Sequence, residues 1–369
     1  MTTDEKIKLI TRNLEETLTE DELKGLIDSG TPLKHYIGYE VSGILHIGQG
    51  LYTMMKIKDL IEADVEVTVF LADWHAWLNK KLDGKLETIT KVGKEYLMEA
   101  FKAGALCVGA DPEKINFVLG SELYQKLGLD YWATMIRVSK ATTMSRMLRS
   151  TTIMGRKESE VTDSAMLIYP AMQSADIFMM GINIAHAGTD QRNVHVVARD
   201  CADEIGFPKP VAIHAHLLQG LLPPVLINDP ETGKQVMDLE ASKMSKSKPN
   251  SMITLHDSPE IIKQKINNAY APEGVVEFNP ILDWVKNLVF YEPETTFVVH
   301  RDEKWGGDLS YNSYADLEKD YAEKKLHPQD LKAAVAEWLI NKLEPARKYF
   351  EEPSRKAALE EIERLTSKT

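Results

Sequence analysis

An α/β fold, a doubly wound parallel sheet followed by a helical C-terminal domain, is what this sequence predicts, and three features predict it. Strand and helix patterns alternate from about residue 34 to residue 218. The strands among them read as short, continuous apolar runs, as strands covered on both faces must. After residue 257 the strand rhythm stops and helical spacing takes over.

The elements follow in order. Residues 4–29 are rich in Glu and Lys and read as a helical N-terminal segment, bounded at residue 33. HYIGYE ends a strand, and VSGILHIGQG (41–50) then spends three glycines and His46 before Leu51, Met54, Met55 and Ile61 recur at helical spacing. VEVTVFLAD (65–73) is a buried strand, and LETITKVGKEYLMEAFKAGA (86–105) a helix with Leu86, Ile89, Val92, Leu97 and Ala100 on one side. INFVLGSE (115–122), INIAHAG (182–188) and VAIHAHLL (211–218) are further strands, the last two separated by the helical QRNVHVVARDCADEIG. This order places ligands at the carboxyl ends of the strands.

LINDPETGKQVMDLE (226–240) reads as a hairpin-like insertion turning at Pro230 and Gly233, within a span of about 222–241. Ser258 and Pro259 then form a helix start. Further helices are expected at about 279–290, 313–324 and 328–350, with a charged end at 351–369 that is free to fray. The expected division is 1–33 helical, 34–256 the sheet domain with its insertion, and 257–369 a separate helical domain.

The composition, 43% hydrophobic and 27% charged over 369 residues, is that of a soluble globular protein. No apolar run is long enough for a bilayer and no signal-peptide layout is seen, so a cytoplasmic location and no membrane partner are expected. Cys107 and Cys201 offer neither a metal site nor a disulfide framework. A net charge of -12 argues against blanket nucleic-acid binding but leaves room for a local basic face on a folded RNA.

Two stretches carry chemistry together. A strand, a glycine-rich turn and a helix start make an anion site, because the first helical amides lack internal partners; a plain tight turn is the alternative. The turn has neither dinucleotide spacing nor a Walker lysine. SKMSKSKPNS (242–251) holds three lysines and four serines in ten residues, which alone reads as a solvated loop. Set beside a histidine at a helix start, both at strand ends, those lysines can flank one triphosphate.

HIGQ (46–49) and KMSKS (243–247) resemble the HIGH and KMSKS signatures of class I aminoacyl-tRNA synthetases, the second without a mismatch. Gln49 stands where the pattern has its second histidine; it offers a donor amide but no imidazolium. In YPAMQSADIFMM, Tyr169, Gln173 and Asp176 share one face of an otherwise apolar helix, either paired internally or walling a polar pocket. YIGYEVSG, LADWHAWLN, the YPxxQxxD stretch, GTDQRNVH, GGDLSYNSY and LHPQDLK together resemble tyrosyl-tRNA synthetases of the archaeal and eukaryotic type, from about residue 34 to residue 348.

The resemblance implies a Rossmann-like catalytic domain, an anticodon-binding C-terminal domain, a homodimer, and tyrosine activation by ATP with Mg2+ before transfer to tRNA(Tyr). Tyr36 and Asp176 would hold the tyrosine phenol, with Gly38 beside them, and Tyr169, Gln173 and Gln191 the amino-acid end. Gly43, His46, Gly48 and Gln49, with Lys243, Met244, Ser245, Lys246 and Ser247, would bind ATP; His46, Lys243 and Lys246 would be catalytic. Arg149 and Arg192 would lie near the acceptor stem, and Trp305, His327 and Asp330 would contact anticodon bases. Asp330 has a plainer reading as a carboxylate in the first turn of the helix that Pro328 opens.

The chemistry supports tyrosine. A phenol hydroxyl donates and accepts, so its site needs one acceptor and one donor, which Asp176 and Tyr36 supply. An indole N–H only donates, which disfavours a tryptophanyl-tRNA synthetase. Another adenylate-forming nucleotidyltransferase would leave the C-terminal domain without a purpose. A silent RNA-binding paralogue would more naturally show a damaged lysine loop.

Overall fold

The computed structural model describes residues 1–155, 160, 163–229 and 232–367. Its centre is a six-stranded sheet. In chain order the strands are β1 (Leu14–Leu18), β2 (Lys34–Glu40), β3 (Glu66–Ala72), β4 (Ile115–Leu119), β5 (Ile184–Gly188) and β6 (Val211–Ala215). In space they run β1-β6-β5-β2-β3-β4, all parallel except the β1 edge. The order reverses beside β2, which pairs with β3 from Lys34↔Glu66 to Glu40↔Ala72 and with β5 through His35 and Tyr36. In open parallel sheets ligands bind where the strand order reverses, outside the carboxyl ends.

Helices cover both faces. The described helices are α1 (Thr3–Thr11), α2 (Glu20–Asp28), α3 (Thr53–Glu62), α4 (Asp73–Leu78), α5 (Leu86–Val92), α6 (Met98–Val108), α7 (Gly120–Leu127), α8 (Leu129–Ala141) and α9 (Met144–Ser150). They continue with α10 (Tyr169–Met179), α11 (Arg192–Ile205), α12 (Leu239–Ser242), α13 (Pro259–Asn267), α14 (Pro280–Asn287), α15 (Tyr314–Ala322), α16 (Pro328–Lys342), α17 (Glu344–Tyr349) and α18 (Pro353–Thr366). α3 and α6 bury Met54, Ile57, Phe101 and Ala103 on one face of the sheet; α8, α10 and α11 bury Val138, Met172 and Val197 on the other. Gly104 of α6 lies against the Gly50 carbonyl, where a Cβ would collide. That close approach seats the turn that precedes α3.

Four regions differ from the sequence expectation. The N-terminal segment 1–33 is not wholly helical, because β1 lies between α1 and α2 and joins the sheet. Each flanking helix starts at a capping box, Thr2 with Glu5 and Thr19 with Glu22, which local pattern does announce. The Glu-rich LEETL favours helix locally; pairing with β6 overrides that preference, and Glu16 bonds to His214. The charged C-terminal end carries a helix, α18, from Pro353 to Thr366. α18 buries Ala358 and Ile362, and Glu361 meets Lys91 at 2.9 Å. Strands also persist after residue 257 as the small hairpin β9 (Phe297–Val299) and β10 (Leu309–Tyr311). The helix expected over 86–105 is α5 and α6 joined by a wider turn at Gly93–Leu97.

The insertion pairs Leu226–Asn228 with Gln235–Met237 as a hairpin; Pro230 lies outside the described residues. Among the described residues no helix is long and apolar enough to cross a membrane.

Candidate active site

The first motif meets the segment just after the lysine loop across a short ladder. The Ile47 amide donates to the Ile253 carbonyl (2.9 Å), the Leu255 amide to the Leu45 carbonyl (3.2 Å), and His46 pairs with Thr254. The turn at Gly48–Tyr52 is wider than an α-helical turn and leads into α3. A Cβ on Gly48 would lie 2.8 Å from Met244 Cε and 3.1 Å from the His46 ring, so a glycine there lets the lysine loop close onto His46.

Lys246 crosses to the first motif, its Nζ donating to Ser42 Oγ at 3.0 Å. Its methylene chain runs past Gly43, which holds φ +136, a backbone region that suits glycine. Burial, then repulsion from Lys81, pushes the Lys246 ammonium down to about 7. Lys243 takes the opposite course. Burial opposes its charge, but Asp190 at 3.0 Å and Glu240 at 2.7 Å outweigh that and raise it. Ser245 and Ser247 bond to each other at 2.8 Å, and Met244 is buried.

His46 is neutral. Burial, with Lys246 and Lys243 nearby, pushes its imidazole down to about 3, and Nδ1 is buried without a partner. The Gln49 Oε1 is likewise buried and unpaired. A neutral imidazole and an amide can each donate one N–H to an anionic oxygen without adding charge.

The polar stripe of α10 lies at the other end of the cleft. Asp176 is fully buried; burial pushes its carboxyl well above the usual carboxylate range. Its Oδ1 accepts from the Tyr131 hydroxyl at 2.8 Å, while Oδ2 is unpaired, 3.5 Å from His75 Nε2. The Tyr36 hydroxyl, raised by burial and by Asp176, curls over Gly38, where any Cβ would strike it. One unsatisfied carboxyl oxygen therefore sits in a buried wall of hydroxyls. Such a group costs on the order of 1–3 kcal/mol until something pairs with it.

Between the two ends stands Glu40, at the carboxyl end of β2. Its Oε1 accepts from the Tyr169 hydroxyl and from Asn79 Nδ2, both at 2.8 Å, and its Oε2 meets Lys81 Nζ at 3.2 Å. Gln173 is buried one turn beyond Tyr169, and Gln191 Nε2 donates to the Ile153 carbonyl at 2.9 Å. Sequence reasoning missed Glu40, Tyr131 and His75. Glu40 had a signal, a lone carboxylate at a strand's carboxyl end; Tyr131, on an ordinary helix, had none.

The remaining expected residues lie outside this cleft. Arg149 is exposed and bonds to Ser145; Arg192 is paired with Glu16 of β1 at 2.8 Å. Trp305 is 68% exposed at the end of a short turn. His327 caps α16, its Nδ1 accepting the Gln329 amide at 3.2 Å, and Asp330 sits in that helix's first turn. Arg301 Nη1 donates to the Lys325 carbonyl at 3.1 Å, which ties the Trp305 loop to the approach of His327. Among the described residues no group of three or more His, Cys, Asp or Glu side chains is arranged to hold a metal ion.

Comparison with known proteins defines the class. The family of class I tRNA synthetases (W and Y) matches residues 28–344, and the chain belongs to it. Within that class the similarity runs to the tyrosine enzymes. A tyrosine–tRNA ligase of Thermococcus sibiricus is 49% identical over 363 residues, 95% of this chain and 96% of its own. That of Thermococcus kodakarensis is 50% identical with the same coverage. The crystal structure of tyrosyl-tRNA synthetase complexed with L-tyrosine from Pyrococcus horikoshii matches with a TM-score of 0.91 at 45% identity, covering 100% of both chains. A tryptophanyl-tRNA synthetase from Aeropyrum pernix, at 18% identity and a TM-score of 0.61, shares the fold alone.

Proposed function

We infer that this protein is a tyrosine–tRNA ligase: it activates L-tyrosine with ATP and passes the tyrosyl group to tRNA(Tyr). The observation that carries this is the buried Asp176 with one carboxyl oxygen unpaired beside Tyr36. A phenol hydroxyl donates to that oxygen and accepts from Tyr36, satisfying both groups at once. Tyr169 and Gln173, with Gln191, hold the amino-acid end, and the Glu40 carboxylate suits its ammonium.

In the first step the tyrosine carboxylate attacks the α-phosphorus of ATP, forming an O–P bond as pyrophosphate leaves. No protein nucleophile is needed, so catalysis is positioning and charge stabilisation. His46 and Gln49 donate to phosphate oxygens. Gly43 and Gly48 let ATP approach the backbone, with Met244 packed beneath. Lys243 and Lys246 neutralise the departing pyrophosphate, and Ser245 and Ser247 shape their loop; Mg2+ arrives with ATP. In the second step the terminal ribose of the tRNA takes the tyrosyl group and AMP leaves.

We read 257–369 as the anticodon-binding domain, with Trp305 stacking on a base and Asp330 accepting from a base edge. Arg149 and Arg192 face the acceptor stem. The protein works as a cytoplasmic homodimer. The exposed apolar side chains of Leu129 (85%), Ile136 (53%) and Met144 (71%) on α8 and α9 support such a partner surface. Amino-acid-dependent ATP–pyrophosphate exchange across the twenty amino acids tests the reading. Exchange with tyrosine alone is expected; exchange with tryptophan would overturn it.

A further inference from the structure

The lysine loop is held from outside the catalytic sheet. Leaving β6, residues 216–221 run antiparallel to the start of the loop: Gln219 pairs with Lys243, and the Gly220 amide donates to the Ser242 carbonyl at 2.7 Å. Gly220 is tight here, since a Cβ would lie 3.0 Å from the Ser242 carbonyl oxygen and 3.1 Å from that of Lys243. The Leu221 amide donates to the Ser251 carbonyl at 2.9 Å, so the same segment grips both ends of the loop.

Gln219 has its own backbone groups turned away from Lys243, and α14 takes both. Asp283 Oδ2 accepts the Gln219 amide at 2.9 Å, and Trp284 Nε1 donates to the Gln219 carbonyl at 2.8 Å. Asp283 Oδ1 also pairs with His216 Nε2 at 2.7 Å. Trp284 is fully buried and Asp283 nearly so, which makes this a fixed clamp and not a surface contact. α14 belongs to the helical C-terminal region, while the segment it holds belongs to the catalytic sheet.

We propose that Asp283 and Trp284 are positioning residues for adenylate formation, holding residues 216–221 so that Lys243 and Lys246 stand at the pyrophosphate site. The inference rests on the role assigned above to the lysine loop. It also gives the C-terminal region a physical route to the chemistry, through the backbone of Gln219 and the side chain of His216. The clamp touches neither the tyrosine pocket nor any reacting atom, so its loss acts on the rate and leaves tyrosine affinity alone. Misplacing a catalytic group by about 1 Å costs up to about 100-fold.

The test uses the full-length protein with Trp284→Phe, which keeps the ring and removes the donor, and Asp283→Asn, which keeps one acceptor. Single-turnover adenylate formation and the tyrosine dissociation constant are measured for each, alone and combined with Lys246→Ala. The expected result is a roughly 10-fold slower adenylate step for Trp284→Phe with tyrosine affinity unchanged, and little further loss once Lys246 is alanine. An unchanged rate, an equal loss of tyrosine affinity, or a full multiplicative loss in the double variant would overturn the clamp. If Lys246→Ala alone leaves the rate intact, the loop's own role falls, which is a different failure and is read separately.

Discussion

At the deep end of the cleft, Tyr36, Tyr131, His75 and Asp176 are buried on strand and helix positions, and their main polar neighbours are one another. At its mouth, Ser42, Lys243 and Lys246 stand half-buried on loops, and cations converge on a neutral histidine. The contrast fits what we propose that each end recognises. A phenol differs from a phenyl by one hydroxyl, and only a dry site with unpaired polar groups makes that absence expensive. A triphosphate brings its own charge and must leave as pyrophosphate, so a half-buried cationic loop serves it better than a closed pocket. On the proposed reading, selection belongs to the deep end and rate to the mouth.

The largest expected effect breaks the deep end. Discrimination of tyrosine over phenylalanine reaches ~10⁵ in this enzyme class, which is the reference case for the effect. Asp176→Ala removes the acceptor, so the ratio of the two kcat/KM values should fall by several decades, and Tyr36→Leu should lower it as well. If both variants keep the parent ratio, these residues do not read the hydroxyl.

Next is the mouth. Lys246→Ala should slow adenylate formation by about 100- to 1,000-fold, the scale for losing one transition-state donor. Tyrosine affinity should stay at the parent value in equilibrium titration. A matching loss of tyrosine affinity would mean that the two ends are not separable.

A smaller effect concerns protons. Free Lys246 loses its charge as pH rises through about 7, because burial disfavours the ammonium. The bound triphosphate favours the charged form and raises it again. At pH 8, therefore, ATP binding takes up a proton, and below about pH 6 it takes up none. Calorimetry in two buffers of different ionisation enthalpy measures this; equal heats at pH 8 would rule it out. Below it in size is Tyr131→Phe, which removes one bond to Asp176 and should weaken tyrosine binding by about 1 kcal/mol. The smallest is Asp330→Ala, expected to raise the KM for tRNA and to leave tyrosine-dependent exchange unchanged. An equal fall in exchange would return Asp330 to a helix-terminus role.

The parts legible in advance were those with local causes. Period and apolar runs marked β2 to β6, since a doubly covered strand must be apolar throughout. HIGQ and KMSKS were readable only as a pair, because each alone reads as a plain turn or a solvated loop while together they match the family's two signatures. The i, i+4, i+7 stripe of Tyr169, Gln173 and Asp176 was readable because α10 is otherwise apolar, and all three are buried.

Tertiary structure alone decided the rest, because it depends on groups far apart in the chain. Tyr131 finds Asp176 across 45 residues, and Glu40 finds Tyr169 across 129. β1 is a strand only because β6 offers an edge, and α18 is ordered only because Ala358 and Ile362 have a surface to bury against. The charge states were undetermined too. A histidine beside two lysines looks cationic or neutral equally well on paper, and its burial makes it neutral. Sequence set which chemistry-bearing residues stand at the ends of the strands, through periodicity that each segment carries by itself. Which of them meet, and in what protonation state, followed from packing, since burial and long-range pairing exist only once the chain has folded.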